Sequence, residues 1–454
     1  MTGDSAAAAR IAAVPAGSRV PRGLLWGYGV GSVGTGIYSA LPGVLLLIFL
    51  TDTLGVTPAV AAAVIVIPKL WSVVCDPLVG RASDRLRGPS GTRAPHLLMG
   101  ALACALSFSA LFAVPAGLAG VAAAVYVGTV FLLAVTAYSV FSVPYVSLPV
   151  EMSADADERA TIISVRMGFV FIGALLGAAL APALVAWLGG GRLGYSRMSL
   201  VLGVAAGLCA LTAWKAVSRL PRSTTVPPSP ADLAPMPWYR MVRLPRFQAL
   251  LLPYLCVAGA ISTLTAALPY LVRYRLQREE AMLGLLFLVL VGGSIASLPL
   301  WLLLSRRLGK RSALYFAMLA LALACVALGF AVTPVSVGLA CAVAGVAFGG
   351  LQLLPFSLLS DVLRDQPARE GAYTGLWTAV EKTGLACGPL LVGALLQLGG
   401  FAAATDGQSA QPHSAIVAIV LAATLLPVAW LVLAAAFARW LRAANLPDVL
   451  GEAS

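Results

Sequence analysis

The sequence is poor in charge and nearly without histidine. Only 11% of its 454 residues are charged and 2 are histidines, whereas soluble domains carry about 25% charged residues. The seven cysteines lie in apolar runs without a CxxC spacing, which argues against disulfides and metal sites. No Gly-rich loop followed by Lys-Ser/Thr occurs, so nothing predicts ATP binding. We therefore expect no enzyme chemistry, no metal and no cofactor.

What the chain has in excess is apolar sequence. Hydrophobic residues make up 60% of it, with a mean hydropathy of +0.93, and a membrane-crossing helix needs about 20 apolar residues. The predicted spans are 23–50, 57–80, 97–114, 120–146, 161–188, 199–218, 247–272, 282–304, 313–331, 335–360, 371–399 and 415–438. The fold class is therefore an all-α membrane protein with twelve transmembrane helices in two six-helix bundles.

The basic residues are distributed unevenly. Of the 30 Lys and Arg, 22 fall in the two tails, the loops on the same side and the span ends next to them, 5 on the opposite side and 3 deep inside spans. Positive charge marks the cytoplasmic side, so both termini are predicted to be cytoplasmic. The net charge of +12 then reflects orientation and anionic lipids, and we expect no nucleic-acid partner.

Composition divides the chain into a cytoplasmic tail, two bundles, a linker and a second tail. The linker is rich in Pro and Ser and is the longest connection. Similar short basic turns, 80–85 and 306–311, follow the second span of each half, which indicates duplicated halves around a central site. The predicted units are 1–22, 23–218, 219–246, 247–441 and 442–454.

Several charged residues lie inside the predicted spans. Ionisable groups cost several kcal/mol there and default to a functional role. Lys69, Ser72 and Asp76 share one helix face, because residues seven apart differ by about 20° around a helix. Lys382 falls near the membrane midplane, and its neighbour Glu381 points about 100° away.

Structural alternatives stay open at these positions. Asp76 and Lys382 could be only an ion pair between two helices, and Lys69 could extend its ammonium towards the interface. Arg166, on the fifth span, could serve only the cytoplasmic gate. Gating positions are also predicted in the basic turn and at the end of the tenth span: Gly80, Asp84, Arg85 and Asp361.

Five stretches carry a family resemblance. They are YGVGSVGTG, LWSVVCDPLVG, VPYVSLPVEM, LPFSLLSDV and REGAYTGLWTAVEK, in this order along most of the chain. The sequence resembles the major facilitator superfamily and, within it, the glycoside–pentoside–hexuronide:cation symporters typified by the melibiose permease, which also include lysolipid transporters.

The resemblance implies a coupling site and a substrate site. Asp76 matches one of the family's two cation-binding aspartates, and Ser72 stands where the other would be. Ser139 and Lys382 match the polar partners on the fourth and eleventh helices, and Cys75 lies beside them. Substrate positions are predicted at Arg166, Lys69, Tyr138, Ser142, Tyr145, Val146, Gly36 and Trp377.

The departures from the family bear on the cargo. The galactoside-binding carboxylates of the melibiose permease fall on Gly36 and Ser142, and its stacking tryptophan falls on Val146. A galactoside site of that design is absent, and Arg166 lacks its acidic partners. A free guanidinium suits a carboxylate or phosphate, so an anionic solute such as a uronide or a lysolipid headgroup is predicted.

The sequence thus predicts a monomeric secondary transporter of the cytoplasmic membrane, with a small solute, a coupling cation and membrane lipids as partners. One aspartate beside a serine and a cysteine is a poor sodium site, so H⁺ is favoured over Na⁺. The alternatives are a proton-coupled exporter or amphiphile transporter that uses the same Asp76, and a non-transporting receptor or scaffold.

Overall fold

The computed structural model describes residues 20–85, 94–153, 155–218, 245–278, 280–364, 370–404 and 410–443, and throughout these ranges the chain is helical apart from short connections. Eleven helices are long and apolar enough to cross a membrane, and a bent pair makes up to twelve. In chain order they are α1 Arg22–Ile48, α2 Pro58–Arg85, α3 Ala94–Phe112, α4 Gly120–Met152, α5 Ala156–Leu175 continuing as Ala181–Trp187, α6 Gly191–Val217, α7 Pro245–Tyr270, α8 Glu280–Ala296 with Leu298–Leu308, α9 Lys310–Phe330, α10 Pro334–Arg364, α11 Glu370–Leu398 and α12 His413–Ala423 with Leu425–Ala443.

Irregular turns interrupt or end some of these helices. The two parts of α8 meet at 44°, where Pro299 lies at the start of the second part and cannot donate a backbone hydrogen bond. A π turn divides α5 at Leu176–Leu180. Two more π turns end α1 and α7, over Phe49–Thr53 and Leu271–Arg275.

The sixth predicted span, 199–218, was too short, because α6 begins at Gly191. Two arginines in its first turns gave the segment the composition of a loop. The Arg192 guanidinium donates to the carbonyls of Pro115, Ala116 and Leu118 at 2.8–3.0 Å. Arg197 donates to the carbonyl of Leu188 at 3.0 Å. The charges therefore bind free backbone carbonyls at one end of the bundle.

The two halves repeat the same packing. Within the first six helices, α1 contacts α5 and α6, α3 contacts α4 and α6, and α2 contacts α4. Within the second six, α7 contacts α11 and α12, α9 contacts α10 and α12, and α8 contacts α10. Each pair of the first set corresponds to one of the second after a shift of six helices, so the structure shows the duplication that the short basic turns indicated.

The bundles meet along three helix pairs, α2 with α11, α5 with α8 and α1 with α7, which we call the bundle interface. We call the end where α1 begins the terminal face and the other end the opposite face. At the opposite face the Thr51 and Tyr270 hydroxyls share a hydrogen bond of 2.8 Å, and the Ala404 N–H donates to the Thr51 carbonyl at 3.0 Å. These contacts close the opposite face.

Candidate functional site

An ion pair between Asp76 and Lys382 lies at the bundle interface. The Lys382 ammonium from α11 contacts Asp76 Oδ2 on α2. The Ser139 hydroxyl on α4 donates to the other carboxylate oxygen, Oδ1. The side chains of Lys382 and Asp76 are 26% and 24% exposed, so water can reach the pair. The structure thus brings together three residues that the sequence placed in one coupling site.

The other two residues predicted for this site stand beside it. Ser72 is buried, and its hydroxyl donates to the Lys69 carbonyl one turn earlier at 2.7 Å, so it serves its own helix. Cys75 is buried too, and its thiol lies close to Ser139 and Asp76. The carboxylate therefore has one hydroxyl and one ammonium as its described partners, and the coupling role predicted for Ser72 and Cys75 stays a prediction.

Lys69 reaches away from the carboxylate. Its ammonium donates to the backbone carbonyl of Leu385 on α11 at 3.1 Å. The Ser262 hydroxyl on α7 donates to the same oxygen at 2.6 Å. The predicted contact between Lys69 and substrate stays a prediction, since in this conformation the side chain is bonded to the backbone of the other bundle.

Arg166 stands on α5 above an aromatic and hydroxyl cluster. Its guanidinium carbon lies 6.0 Å from the centre of the Tyr145 ring, and its buried Nε has no hydrogen-bond partner in the described chain. The Tyr145 hydroxyl donates to the Tyr28 carbonyl and shares a 2.7 Å hydrogen bond with the Ser32 hydroxyl. Tyr145 is fully buried, so its ring is a fixed neighbour of the Arg166 guanidinium.

The remaining predicted substrate positions differ in access. Tyr138 is partly buried and stacks on Tyr38 with ring centres 4.3 Å apart. Ser142 is partly exposed and Val146 is 49% exposed. Gly36 packs against the backbone of α5, where a Cβ would meet the Val170 carbonyl.

Trp377 is fully buried and does not line a cavity in this conformation. Its ring stacks on Tyr254 with centres 4.0 Å apart and meets Phe356 edge-on. Tyr254 also lies beside the carboxylate of Glu381. Trp377 therefore helps to join α7, α10 and α11, and its contact with cargo stays a prediction.

The predicted gating positions lie near the terminal face. Gly80 is on α2, and a Cβ there would approach Val143 of α4 at 3.6 Å. The side chains of Asp84, Arg85 and Asp361 lie outside the described residues. Their role in gating stays a prediction.

Sequence reasoning missed a second charged pair across the bundle interface. Asp52, in the π turn after α1, forms an ion pair with Arg273 Nε at 2.7 Å and accepts a hydrogen bond from Tyr274. Both partners lie in the π turn after α7. The sequence analysis counted Arg273 among the loop charges and did not consider Asp52, although both lie in the π turns that follow the first helix of each half.

Within the described residues, up to twelve apolar helices form two repeated bundles with an ion pair between them, which is the architecture of a multi-pass membrane protein. The family model described as MFS/sugar transport protein matches residues 27–442. The chain belongs to this family, and it is a transporter rather than an enzyme.

Relatives and solved structures agree with this class. The chain is 26% identical over 427 residues to a Bacillus subtilis protein named uncharacterized symporter YnaJ, covering 90% of this chain and 89% of that protein. It is 26% identical over 433 residues to the inner membrane symporter YicJ of Escherichia coli, covering 91% and 90%. A bacterial homologue of the lysosomal transporter Spinster, solved inward-facing and occupied, has a TM-score of 0.67 at 14% identity, with 93% and 95% covered. The resemblance to a symporter family is confirmed.

Proposed function

We propose that the protein is a proton-coupled symporter that moves a small polar or anionic solute across the cytoplasmic membrane by alternating access. The observation that carries this is the Asp76–Lys382 ion pair, which joins α2 of one bundle to α11 of the other and is reachable from water. Symport is the activity named for the relatives that match along most of the chain.

The ion pair can link a bound proton to the position of the bundles. Protonation of Asp76 removes the charge that attracts Lys382, and an opposite charge a few ångströms away is worth several kcal/mol at moderate dielectric. A cation entering between Asp76 and Ser139 would displace the ammonium in the same way. Loss of the pair frees α11 from α2, so cation binding changes the free energy of bundle separation.

A proton is the better coupling ion on the donors present. Hard cations such as calcium and magnesium take about six oxygen ligands, and the described contacts of Asp76 supply one carboxylate and one hydroxyl. A zebrafish relative, 23% identical over 366 residues, is named a sodium-dependent lysophosphatidylcholine symporter. Sodium is therefore the alternative that an experiment has to test.

Arg166 is the proposed anchor for the cargo. Its unpartnered Nε and planar guanidinium fit a carboxylate or phosphate, which accept paired hydrogen bonds. An Escherichia coli relative, 26% identical over 156 residues, is named a glucuronide carrier homologue. A uronide or another acidic glycoside is the proposed class, with a lysolipid headgroup as the second candidate because of the zebrafish relative.

Orientation follows from charge. The tails and loops at the terminal face carry 22 Lys and Arg, against 5 at the opposite face. We therefore place the terminal face in the cytoplasm. With the opposite face closed, the conformation is the inward-facing one. We propose a monomer that needs no cofactor.

The test is cargo-dependent proton movement in proteoliposomes. Wild type and Asp76→Asn are compared with a panel of glycosides, uronides and lysolipids, with and without sodium. Asp155→Asn, which changes an exposed aspartate at the terminal face, is the matched control. We expect proton flux with one class of anionic cargo in wild type and the control, and none in Asp76→Asn.

The other outcomes are decisive as well. Sodium-dependent uptake without proton flux would replace the proton by sodium. Movement of neutral glycosides only would remove the role given to Arg166. A flux that the panel elicits only when cargo is loaded inside the vesicles would favour the exporter.

A further inference from the structure

Pro389 removes one backbone hydrogen bond from α11. In a helix the carbonyl of residue 385 accepts from the N–H of residue 389, and proline has no N–H. Pro389 lies inside α11, so the Leu385 carbonyl lacks the regular backbone donor of its own helix. An unpaired backbone carbonyl inside a membrane protein costs several kcal/mol, so another group has to bind it.

Two side chains fill the gap, and they come from different bundles. Ser262 of α7 donates at 2.6 Å. It can come this close because glycines of α11 pack directly on α7: a Cβ at Gly384 would lie 2.6 Å from the Leu255 carbonyl, and a Cβ at Gly388 would collide with Ser262 itself. The second donor, Lys69 of α2, reaches the same oxygen across the bundle interface at 3.1 Å.

Lys69 therefore has a backbone carbonyl as its partner where an intramembrane cation commonly has a carboxylate. Among the residues that the structure describes, no carboxylate forms an ion pair with Lys69. The carbonyl it binds belongs to the residue one turn beyond Lys382 on α11. Among the described residues, two polar side chains of α2 thus bind α11, Asp76 and Lys69, seven residues apart on the same face of α2.

We propose that Lys69 is a positioning residue that replaces the backbone donor lost at Pro389, and thereby holds α11 against α2 so that Lys382 stands opposite Asp76. The two contacts differ in kind. The Asp76–Lys382 pair is broken when the carboxylate binds a proton or cation. The Lys69–Leu385 hydrogen bond does not depend on that event, because an amide carbonyl keeps its polarity, and it breaks only when the bundles separate at the opposite face.

The experiment measures that separation directly and does not require a known cargo. Spin labels are attached at Ala116→Cys and Val332→Cys, exposed positions at the opposite face of the first and second bundles, in a chain whose seven native cysteines are replaced by serine or alanine. The distance between the labels is measured in lipid nanodiscs for Lys69→Met, Lys69→Arg, Pro389→Ala and the double variant Lys69→Met with Pro389→Ala.

We expect Lys69→Met to raise the population of the open opposite face about tenfold, the weight of a hydrogen bond to a charged group. Lys69→Arg keeps a donor and should stay close to wild type. Pro389→Ala returns an N–H to position 389. In that background Lys69→Met should therefore raise the population of the open opposite face at most twofold. Ser262→Ala, which removes the donor within the same bundle, should leave the distance unchanged.

Three results would overturn the proposal. They are an unchanged distance in Lys69→Met, an equal shift with and without Pro389→Ala, and a shift in Ser262→Ala as large as that in Lys69→Met. Because the readout is a distance in the absence of cargo and gradient, these results leave the proton-coupling proposal untouched. Loss of proton flux in Asp76→Asn is likewise independent of them.

Discussion

The bundle interface holds two Asp–cation pairs whose surroundings are opposite. Asp52 is 1% exposed, is paired with Arg273 and bonded to Tyr274, and lies where the π turns of α1 and α7 meet. Asp76 is 24% exposed and shares its carboxylate between Lys382 and Ser139. A cation or proton can reach Asp76 without moving helices, whereas access to Asp52 requires the opposite face to open. On our proposal the Asp76–Lys382 pair is the one that a proton or cation breaks, whereas the Asp52–Arg273 pair, which we call the lock, holds the opposite face closed.

Neutralising the two pairs should separate these roles, with the largest effect at the midplane. Asp76→Asn with Lys382→Met removes the group that binds the proton, so cargo-driven proton flux in proteoliposomes should fall at least a hundredfold. Asp52→Asn with Arg273→Met removes both partners of the lock and should keep coupled flux within about tenfold of wild type. Replacing both partners avoids an unpaired buried charge.

A control is needed to separate loss of coupling from loss of folding in these double variants. Cargo exchange without a gradient reports whether each double variant still folds and opens. Equal loss of coupled flux in the two double variants would show that both pairs take part in coupling.

A side chain placed at Gly393 should wedge the closed face apart. A Cβ there would lie 2.7 Å from both the Pro58 carbonyl and the Ala62 Cβ of α2, and such a contact cannot be relieved without moving backbone. We expect Gly393→Leu to shift the labelled distance at the opposite face to the open value in most molecules. Gly375→Leu, at an exposed position of α11 with open space beside it, is the matched control. A closed distance in Gly393→Leu would show that α2 and α11 can move apart locally without opening.

Single changes in the lock should give a graded and smaller response. Arg273→Met leaves Asp52 with the Tyr274 hydroxyl, and we expect the open population to rise about tenfold, less than for a fully buried pair because Arg273 is 29% exposed. Tyr274→Phe removes one hydrogen bond and should change it about threefold. The distance between the same two labels measures the open population in both variants. A larger rise in Tyr274→Phe than in Arg273→Met would show that the tyrosine contributes more than the arginine to holding the opposite face closed.

The smallest effect is expected at Ser72. Its hydroxyl donates to the Lys69 carbonyl of its own helix. Ser72→Ala should therefore change the proton concentration that gives half-maximal coupled flux by less than twofold. Ser139→Ala removes a direct donor to Asp76 and should change it about tenfold. A large effect of Ser72→Ala on sodium-driven uptake would instead place Ser72 among the ligands of a bound cation in another conformation.

The sequence was sufficient for the existence of the spans, although the sixth was too short, and for the presence of Asp76 and Lys382 inside them, because apolar length and intramembrane charge are strong physical signals. Ser139 was named only through the family resemblance, and the coupling role of the three residues stays a prediction. It was insufficient for the partner of Lys69, since a backbone carbonyl released by Pro389 has no side-chain signature. Asp52 and Arg273 escaped because the π turns extend α1 and α7 beyond the apolar runs that mark a span.

Burial was the other quantity that the sequence could not supply. Trp377 and Tyr145 are both fully buried. An aromatic residue on a transmembrane helix can face lipid, a cavity or another helix, and apolar periodicity does not distinguish these surroundings.

The close contact at Gly36 limits which substitutions could change the solute that this transporter binds. The melibiose permease holds galactoside with a carboxylate at the position that is Gly36 here, yet a Cβ at Gly36 would meet the Val170 carbonyl, and one at Gly173 would meet the Val33 carbonyl. A carboxylate could be introduced at position 36 only if α1 moved away from α5. Ser142, on the partly exposed side of α4, can take a larger side chain without this backbone movement, so a change of cargo through α4 requires less rearrangement than one through α1.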